Sequence, residues 1–185
     1  KKYSDGAIVS HTVNIIGMGE SSVAEEIEDM FDAKNPTVAP YAKSGEVRLR
    51  ITAKAETADE ADKMCAPVVD EICSRLGDVV YGIDMNSIEE RVVALLKEKG
   101  KKIATAESCT AGYIPKRLTD IPGASEVFEC GIVSYSNDMK TKLLGVSPKT
   151  LETYGAVSEQ TAREMALGAK RVSGADIAIS TTGLA

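Results

Sequence analysis

The sequence has 185 residues, 43% of them hydrophobic, and a formal net charge of −6. This length allows one large domain or two small ones, and no run of about 18 apolar residues suggests a membrane span. Nine basic and fifteen acidic residues precede Asp84, so the excess acid lies in the first half. Because an acidic field repels phosphate backbones, nucleic acid is a disfavoured partner.

The four cysteines are scattered and form no CxxC pair. This spacing disfavours a zinc or redox site, and free cysteines of this kind predict a reducing, cytoplasmic location. The residues of this sequence include no basic-then-apolar leader, so we expect no secretory signal. The sequence begins with Lys1 and stops soon after a strand of the buried type, so we expect a fragment of a larger protein.

The first half predicts a small split βαβ (ferredoxin-like) domain over residues 1–83. Ser22 and Glu25 have the spacing of a capping box, and Gly77 is placed to end a long helix that contains Pro67. Alternation of apolar and polar residues marks the third strand. The predicted elements are strand 12–16, helix 22–31, strands 38–41 and 46–53, helix 58–76 and strand 79–83.

The second half alternates helices and strands, which is typical of a layered α/β domain. The predicted elements are helix 87–99, strand 103–106, helix 110–118, strand 127–135, helix 158–172 and strand 177–180. We therefore expect a three-layer α/β/α domain over residues 84–185, with a mixed or parallel sheet that is incomplete at its C-terminal end.

The segment TAESCTAG, residues 105–112, joins a predicted strand to a predicted helix. Ligands of open α/β sheets bind beyond the carboxyl ends of the strands, and free amides at a helix start can hold an anion. Ser108 is therefore a candidate nucleophile. The alternative is that its hydroxyl only caps the helix. Cys109 is either a nucleophile or a packing residue, and Glu107 either orients the serine loop or binds backbone amides.

No histidine lies in the second half, and the only one in the sequence is His11. A Ser-His-Asp triad within this domain is therefore excluded unless a part of the domain beyond this sequence supplies the histidine, which leaves lysine, tyrosine or a carboxylate to activate a serine. The segment YSNDMK supplies Tyr135 and Lys140 across a predicted loop, where both can face the cavity at the strand end. The alternative is a solvated loop with a helix cap at Ser136 or Asn137.

Taken together, these segments resemble the CinA family. TAESCT, GIVSYSNDMK, LLGV, YGAVSEQTAREMALGA and DIAISTTGLA occur in the order of its C-terminal domain and span nearly all of residues 87–185. Residues 1–84, including NPTVAPYAKSGEVRLRITAKA, resemble its small KH-like middle domain. The family usually has two glycines after TAESCT, whereas this sequence has Ala111 and Gly112.

The resemblance implies an amidohydrolase that converts nicotinamide mononucleotide to nicotinate mononucleotide and ammonia. By motif, the catalytic residues fall on Ser108, Tyr135 and Lys140. Substrate contacts are expected from these residues: Glu107, Thr110, Ala111, Gly112, Asn137, Thr182 and Gly183. We expect no cofactor, no metal and a homodimer, and little activity from this stretch alone. The alternative function is a non-catalytic nucleotide- or protein-binding module linked to competence or DNA damage.

Overall fold

A computed structural model describes residues 6–43 and 45–184. The chain divides into two compact units, residues 1–88 and 89–185. Each unit has its own hydrophobic core. No helix among the described residues is long and apolar enough to cross a membrane.

The first unit is a four-stranded antiparallel sheet in the order β2-β3-β1-β4, with its helices packed on one face. Its elements are β1 (Ala7–Ile16), α1 (Glu20–Glu26), β2 (Thr37–Lys43), β3 (Glu46–Ala55), α2 (Ala58–Leu76) and β4 (Val80–Ile83). Val47, Leu49 and Ile51 of β3 alternate into the core beneath α2. The predicted split βαβ arrangement is therefore confirmed.

Helix capping in the first unit differs from the prediction. The capping box at Ser22 and Glu25 is wrong, because α1 begins at Glu20 and Gly19 is its N-cap. The true capping box is formed by Thr57 and Glu60 at the start of α2. That helix runs through Pro67 and ends at Gly77, whose φ of 58° suits glycine.

The second unit is built on a three-stranded parallel sheet in the order β6-β5-β7. Its elements are α3 (Ile88–Glu98), β5 (Ile103–Glu107), α4 (Tyr113–Thr119), β6 (Phe128–Val133), α5 (Asn137–Leu144), α6 (Pro148–Tyr154), α7 (Glu159–Ser173) and β7 (Ile177–Thr181). Every residue of the central strand β5 is buried.

Two hydrophobic clusters cover opposite faces of this sheet. Ala104 and Ala106 pack with residues of α5 and α7, whereas Ile103 packs with residues of α3 and α4. Neighbouring residues of a strand point to opposite faces, so helices lie on both sides. The α/β domain with a parallel sheet is confirmed. The sequence did not predict α6, and it offered a helix start in YSNDMK only as the alternative of a cap at Ser136 or Asn137. The structure has the cap at Ser136, where α5 begins, in place of the predicted loop.

The segment after β4 is bound to the first unit. The Thr12 amide donates a hydrogen bond of 2.7 Å to Asp84, and the Asn14 side chain donates one of 3.1 Å to the Met85 carbonyl. Arg48 donates to the Asn86 carbonyl. We therefore propose that the flexible boundary between the predicted domains 1–83 and 84–185 lies just after Asn86.

Gly168 allows α7 to approach α5 closely. A Cβ atom at this position would lie 2.0 Å from the Leu144 carbonyl oxygen, and backbone atoms cannot move aside locally. We expect Gly168→Ala to lower the free energy of unfolding by about 3 kcal/mol, as overpacked cores do. Chemical denaturation measures this loss. Leu167→Ala, an exposed neighbour, is the control and should change stability by less than about 0.5 kcal/mol; equal effects would contradict the account.

Candidate active site

Three strand ends converge at one edge of the parallel sheet. The Ser108 amide donates to the Thr181 carbonyl at 3.0 Å, and the Ser134 amide donates to the Glu107 carbonyl at 2.8 Å. These bonds continue the sheet ladder past the last residues of β5 and β6. The residues that follow β5, β6 and β7 are thereby fixed around a common point, where the rule for open α/β sheets places a ligand.

At that point the structure brings Ser108 and Lys140 together. Lys140 Nζ lies 2.9 Å from Ser108 Oγ. Both side chains are withdrawn from solvent, with 6% of Ser108 and 1% of Lys140 exposed. Ser136 caps α5 by accepting a hydrogen bond from the Met139 amide. The cap fixes the start of the helix, so Lys140 one turn later points inward under the serine.

The remaining contacts of Lys140 determine how its amine is oriented. Nζ donates to the Ser134 carbonyl at 3.0 Å and to the Tyr135 carbonyl at 3.1 Å. A neutral amine has two N–H bonds and one lone pair, so with both hydrogens on the carbonyls the lone pair is left for the serine hydroxyl. Burial lowers the pKa of Lys140 below its usual value. The three contacts fit an ammonium that donates to all three oxygens as well as a neutral amine, so it is burial that favours Lys140 as a base.

The loop that carries Ser108 is held by Glu107. This carboxylate is fully buried, and its Oε2 accepts hydrogen bonds from the Gly112 and Ile114 amides at 3.2 and 3.3 Å. The loop contains two residues with positive φ, Ala111 at 50° and Gly112 at 98°, a conformation that is strained for alanine. The hydrogen bonds that the Glu107 side chain accepts from these amides offset such strain.

Fewer backbone amides of the loop after Ser108 are free to bind an anion than the sequence suggested. The Ala111 amide donates to the Ser108 carbonyl at 3.2 Å, and the Gly112 amide is occupied by Glu107. Of the amides that follow Ser108, those of Cys109 and Thr110 make no hydrogen bond with any residue that the structure describes. These two are the donors that remain for an oxyanion next to Ser108.

A cleft of about 290 Å³ opens above the Ser108–Lys140 pair. Its lining residues are Ser108, Cys109, Tyr135, Asn137, Lys140, Ala156, Val157, Thr182, Gly183 and Leu184. The Tyr135 side chain is 66% exposed, and its contact with Lys140 is made by its carbonyl and not by its phenol. Thr110 is not a lining residue, and its hydroxyl is 2.6 Å from that of Thr181. Ala111, Gly112 and Glu107 are not lining residues.

Sequence reasoning missed the wall formed by Ala156 and Val157, and Leu184 beside the β7 end. The Thr182 hydroxyl donates to the Ala156 carbonyl at 2.7 Å and joins the two parts of the wall. Ala156 and Val157 lie in the loop between α6 and α7, so this part of the wall could not be placed without predicting α6. Ser147 followed by Pro148 at the first helical position was the available signal.

No group of three or more His, Cys, Asp or Glu side chains among the described residues is arranged to hold a metal ion.

Glu107 provides a test of how the loop is held. For the amide hydrolysis expected from the sequence, we expect Glu107→Ala to lower kcat about a hundredfold with little change in KM. The reason is that the loss of its two hydrogen bonds frees the loop that carries Ser108. Glu107→Gln keeps an oxygen for the same amides and should restore most of the loss. Steady-state kinetics measure both variants. A rise in KM at constant kcat would instead make Glu107 a substrate contact.

Each of the two units matches a known protein family. Residues 85–185 match the model of the CinA C-terminal domain, and residues 10–82 match that of the KH domain of damage-inducible protein CinA. The chain belongs to the CinA family. The resemblance found in the sequence is thus confirmed, and the two matched segments meet between β4 and α3.

Curated relatives of this CinA chain match over its whole length. A relative from Clostridium beijerinckii, named for competence-damage induction, is 56% identical over 98% of this chain and 45% of its own. A CinA-like protein from Desulfovibrio desulfuricans is 48% identical over 100% of this chain and 44% of its own. The chain therefore spans just under half the length of these relatives.

A solved structure supports the same assignment. The competence/damage inducible protein from Agrobacterium tumefaciens is 45% identical, with a TM-score of 0.52, and the match covers 52% of this chain and 59% of that one. The names of these relatives concern competence and damage and do not state a reaction. The chemistry of this chain therefore has to be argued from its own cleft.

Proposed function

We propose that this CinA chain carries the hydrolytic site for the amide of nicotinamide mononucleotide, with nicotinate mononucleotide and ammonia as products. The observation that carries the proposal is the buried 2.9 Å contact between Ser108 Oγ and Lys140 Nζ. A serine hydroxyl is a weak nucleophile until a base removes its proton. The buried amine is the base that the cleft offers.

The first half of the reaction releases ammonia. Lys140 takes the Ser108 proton as Oγ attacks the amide carbon, and the carbonyl oxygen becomes an oxyanion, which we propose is stabilised by the amide of Cys109, a residue that lines the cleft. Collapse of this intermediate breaks the carbon–nitrogen bond. The leaving nitrogen takes the proton back from Lys140 and departs as ammonia, which leaves an ester between Ser108 and the nicotinoyl group.

The second half restores the enzyme. Water enters the position that ammonia vacated, and Lys140 accepts one of its protons as the oxygen attacks the ester carbon. The carbon–Oγ bond breaks, Lys140 returns the proton to Ser108, and the new carboxylic acid of nicotinate mononucleotide loses the second proton of the water to solvent as the product leaves. One base thus serves both halves, as microscopic reversibility of acid–base catalysis allows.

The cleft suits a substrate with a flat ring and polar groups. Its volume of about 290 Å³ is close to the lower limit for small-molecule sites. The exposed Tyr135 ring stands at the wall and is placed to pack on a pyridine ring. We therefore propose that Tyr135 orients the substrate and that Lys140 alone is the base. Asn137, Thr182 and Gly183 line the same space and are proposed to contact the substrate.

Ammonia release tests the proposal directly. The full-length gene product is incubated with nicotinamide mononucleotide, and ammonia and nicotinate mononucleotide are measured in parallel. We expect equal amounts of both. Binding of the nucleotide with no ammonia would favour the alternative, a binding module linked to competence or DNA damage. The expected homodimer and the cytoplasmic location stay predictions, and light scattering tests the former.

The rate of ammonia release should rise with pH. The base must be unprotonated, and burial lowers the pKa of Lys140 from its usual value of about 10.4. Activity is therefore low where Lys140 is protonated and reaches a plateau above its pKa, at a lower pH than an ordinary lysine would give. A pH profile of kcat/KM measures this ionisation. A rate that falls as pH rises through the neutral range would contradict a lysine base.

A further inference from the structure

The sheet of the first unit has a polar face opposite its core. Arg48 and Arg50 alternate with the buried Leu49 on β3, so both arginines lie on that face. In the sheet register Tyr41 of β2 is paired with Arg48, and Thr12 of β1 is paired with Arg50. Three adjacent strands thus place two guanidinium groups, a phenol ring and a hydroxyl side by side.

Arg50 has no charge partner on this face. Its guanidinium lies over the Tyr41 ring, 4.9 Å from the centroid, and it makes no hydrogen bond or ion pair with the residues that the structure describes. Arg48 is partly neutralised: it lies 3.7 Å from Glu46 and donates to the Asn86 carbonyl. Its Nε is buried and has no partner among the described residues.

These four residues line a cleft of about 190 Å³. A guanidinium is the group that proteins use to bind phosphate, and its flat face stacks on aromatic rings. We propose that this surface binds a mononucleotide, with its phosphate in the cleft on Arg50 and Arg48 and the rest of the molecule outside the cleft, its base on the exposed Tyr41 ring. Tyr41 is 48% exposed, so its ring offers a surface for stacking. This site is separate from the Ser108 cleft and does not depend on the proposed reaction.

The surroundings favour a small ligand over a nucleic acid. Fifteen acidic and nine basic residues precede Asp84, so the unit as a whole repels a long phosphate backbone. Nucleic-acid sites extend a basic stripe over many phosphates, whereas here the positive charge is confined to two neighbouring arginines. Glu46 lies beside Arg48 and further reduces the positive charge of this face. The positive charge of this face is therefore enough for a single phosphate group and not for the backbone of a polynucleotide.

Titration with adenosine monophosphate tests the proposal, with binding followed by calorimetry and by amide NMR shifts. We expect shifts at Thr12, Tyr41 and Arg50, and at least tenfold weaker binding of adenosine and of inorganic phosphate. Arg50→Gln and Tyr41→Ala should each weaken binding of adenosine monophosphate at least tenfold. Lys34→Gln removes the same charge from an exposed position of the same unit and should leave binding unchanged.

Three results would overturn the proposal. The first is unchanged binding in Arg50→Gln, or shifts confined to residues 108–184, which would place the nucleotide in the Ser108 cleft. The second is an equal loss in Lys34→Gln, which would reduce the effect to net charge. The third is tighter binding of a ten-residue oligothymidylate than of adenosine monophosphate, which would make the face a nucleic-acid surface. Thermal unfolding of each variant verifies that it is folded.

Discussion

Replacing Ser108 with alanine is expected to abolish ammonia release and leave nucleotide binding nearly intact. An amide carbon is a poor electrophile, and Ser108 Oγ is the oxygen that Lys140 is placed to activate at 2.9 Å. Loss of a serine nucleophile in a hydrolase costs about six powers of ten in kcat. The substrate is held mainly by other groups of the cleft, so the dissociation constant should change by less than about threefold.

A second serine serves as the control. Ser147 is the N-cap of α6, yet its side chain makes no capping hydrogen bond, so Ser147→Ala should retain the activity of the parent protein. Cys109 lines the same cleft and is the competing nucleophile. Near-normal ammonia release from Ser108→Ala, together with its loss in Cys109→Ala, would assign the attack to the thiol.

The second large effect is expected at Lys140. Lys140→Met keeps the length of the side chain and removes the amine, so it should lower kcat by about two to four powers of ten, the usual effect of losing an acid–base group. Lys140→Arg should not restore activity, because a guanidinium stays protonated. Single-turnover ammonia release measures both variants, and circular dichroism verifies that they are folded.

The two substitutions should not be additive. Ser108 and Lys140 act on the same proton, so the double variant Ser108→Ala/Lys140→Met should be little worse than Ser108→Ala alone. Additive losses would mean that the lysine contributes independently of the serine, for example by holding the substrate. Rescue of Lys140→Met by an added small amine would support the role as base, whereas the same rescue of Ser108→Ala would contradict it.

The sequence predicted strands of the parallel sheet and the long helices because their patterns are local. Residues 103–106 and 177–180 lie within β5 and β7, and α2 has the predicted bounds. Two short helices escaped prediction. Neither α5 nor α6 has a long apolar stripe, and their signals were a capping serine, Ser136, and a proline at the first turn, Pro148. Short helices of this kind are stabilised by tertiary packing more than by their own sequence.

The site could be predicted in part. An α/β sheet collects the residues that follow its strands at one edge, so Ser108 and Tyr135 were expected near each other. What a pattern does not give is side-chain direction. Glu107 is the last residue of β5 and turns inward to the loop amides, and Tyr135 presents its carbonyl and not its phenol to Lys140. Such choices are set by hydrogen bonding in three dimensions.

An acyl-enzyme is the most direct test of a Ser108 nucleophile. The full-length gene product is mixed with nicotinamide mononucleotide, quenched in acid within its first turnovers and digested, and the peptides are analysed by mass spectrometry. The account predicts a nicotinoyl mononucleotide ester on Ser108, absent from Ser108→Ala and converted to a hydroxamate by hydroxylamine. Ammonia release with no adduct under these conditions, or with the adduct on Cys109, would contradict it.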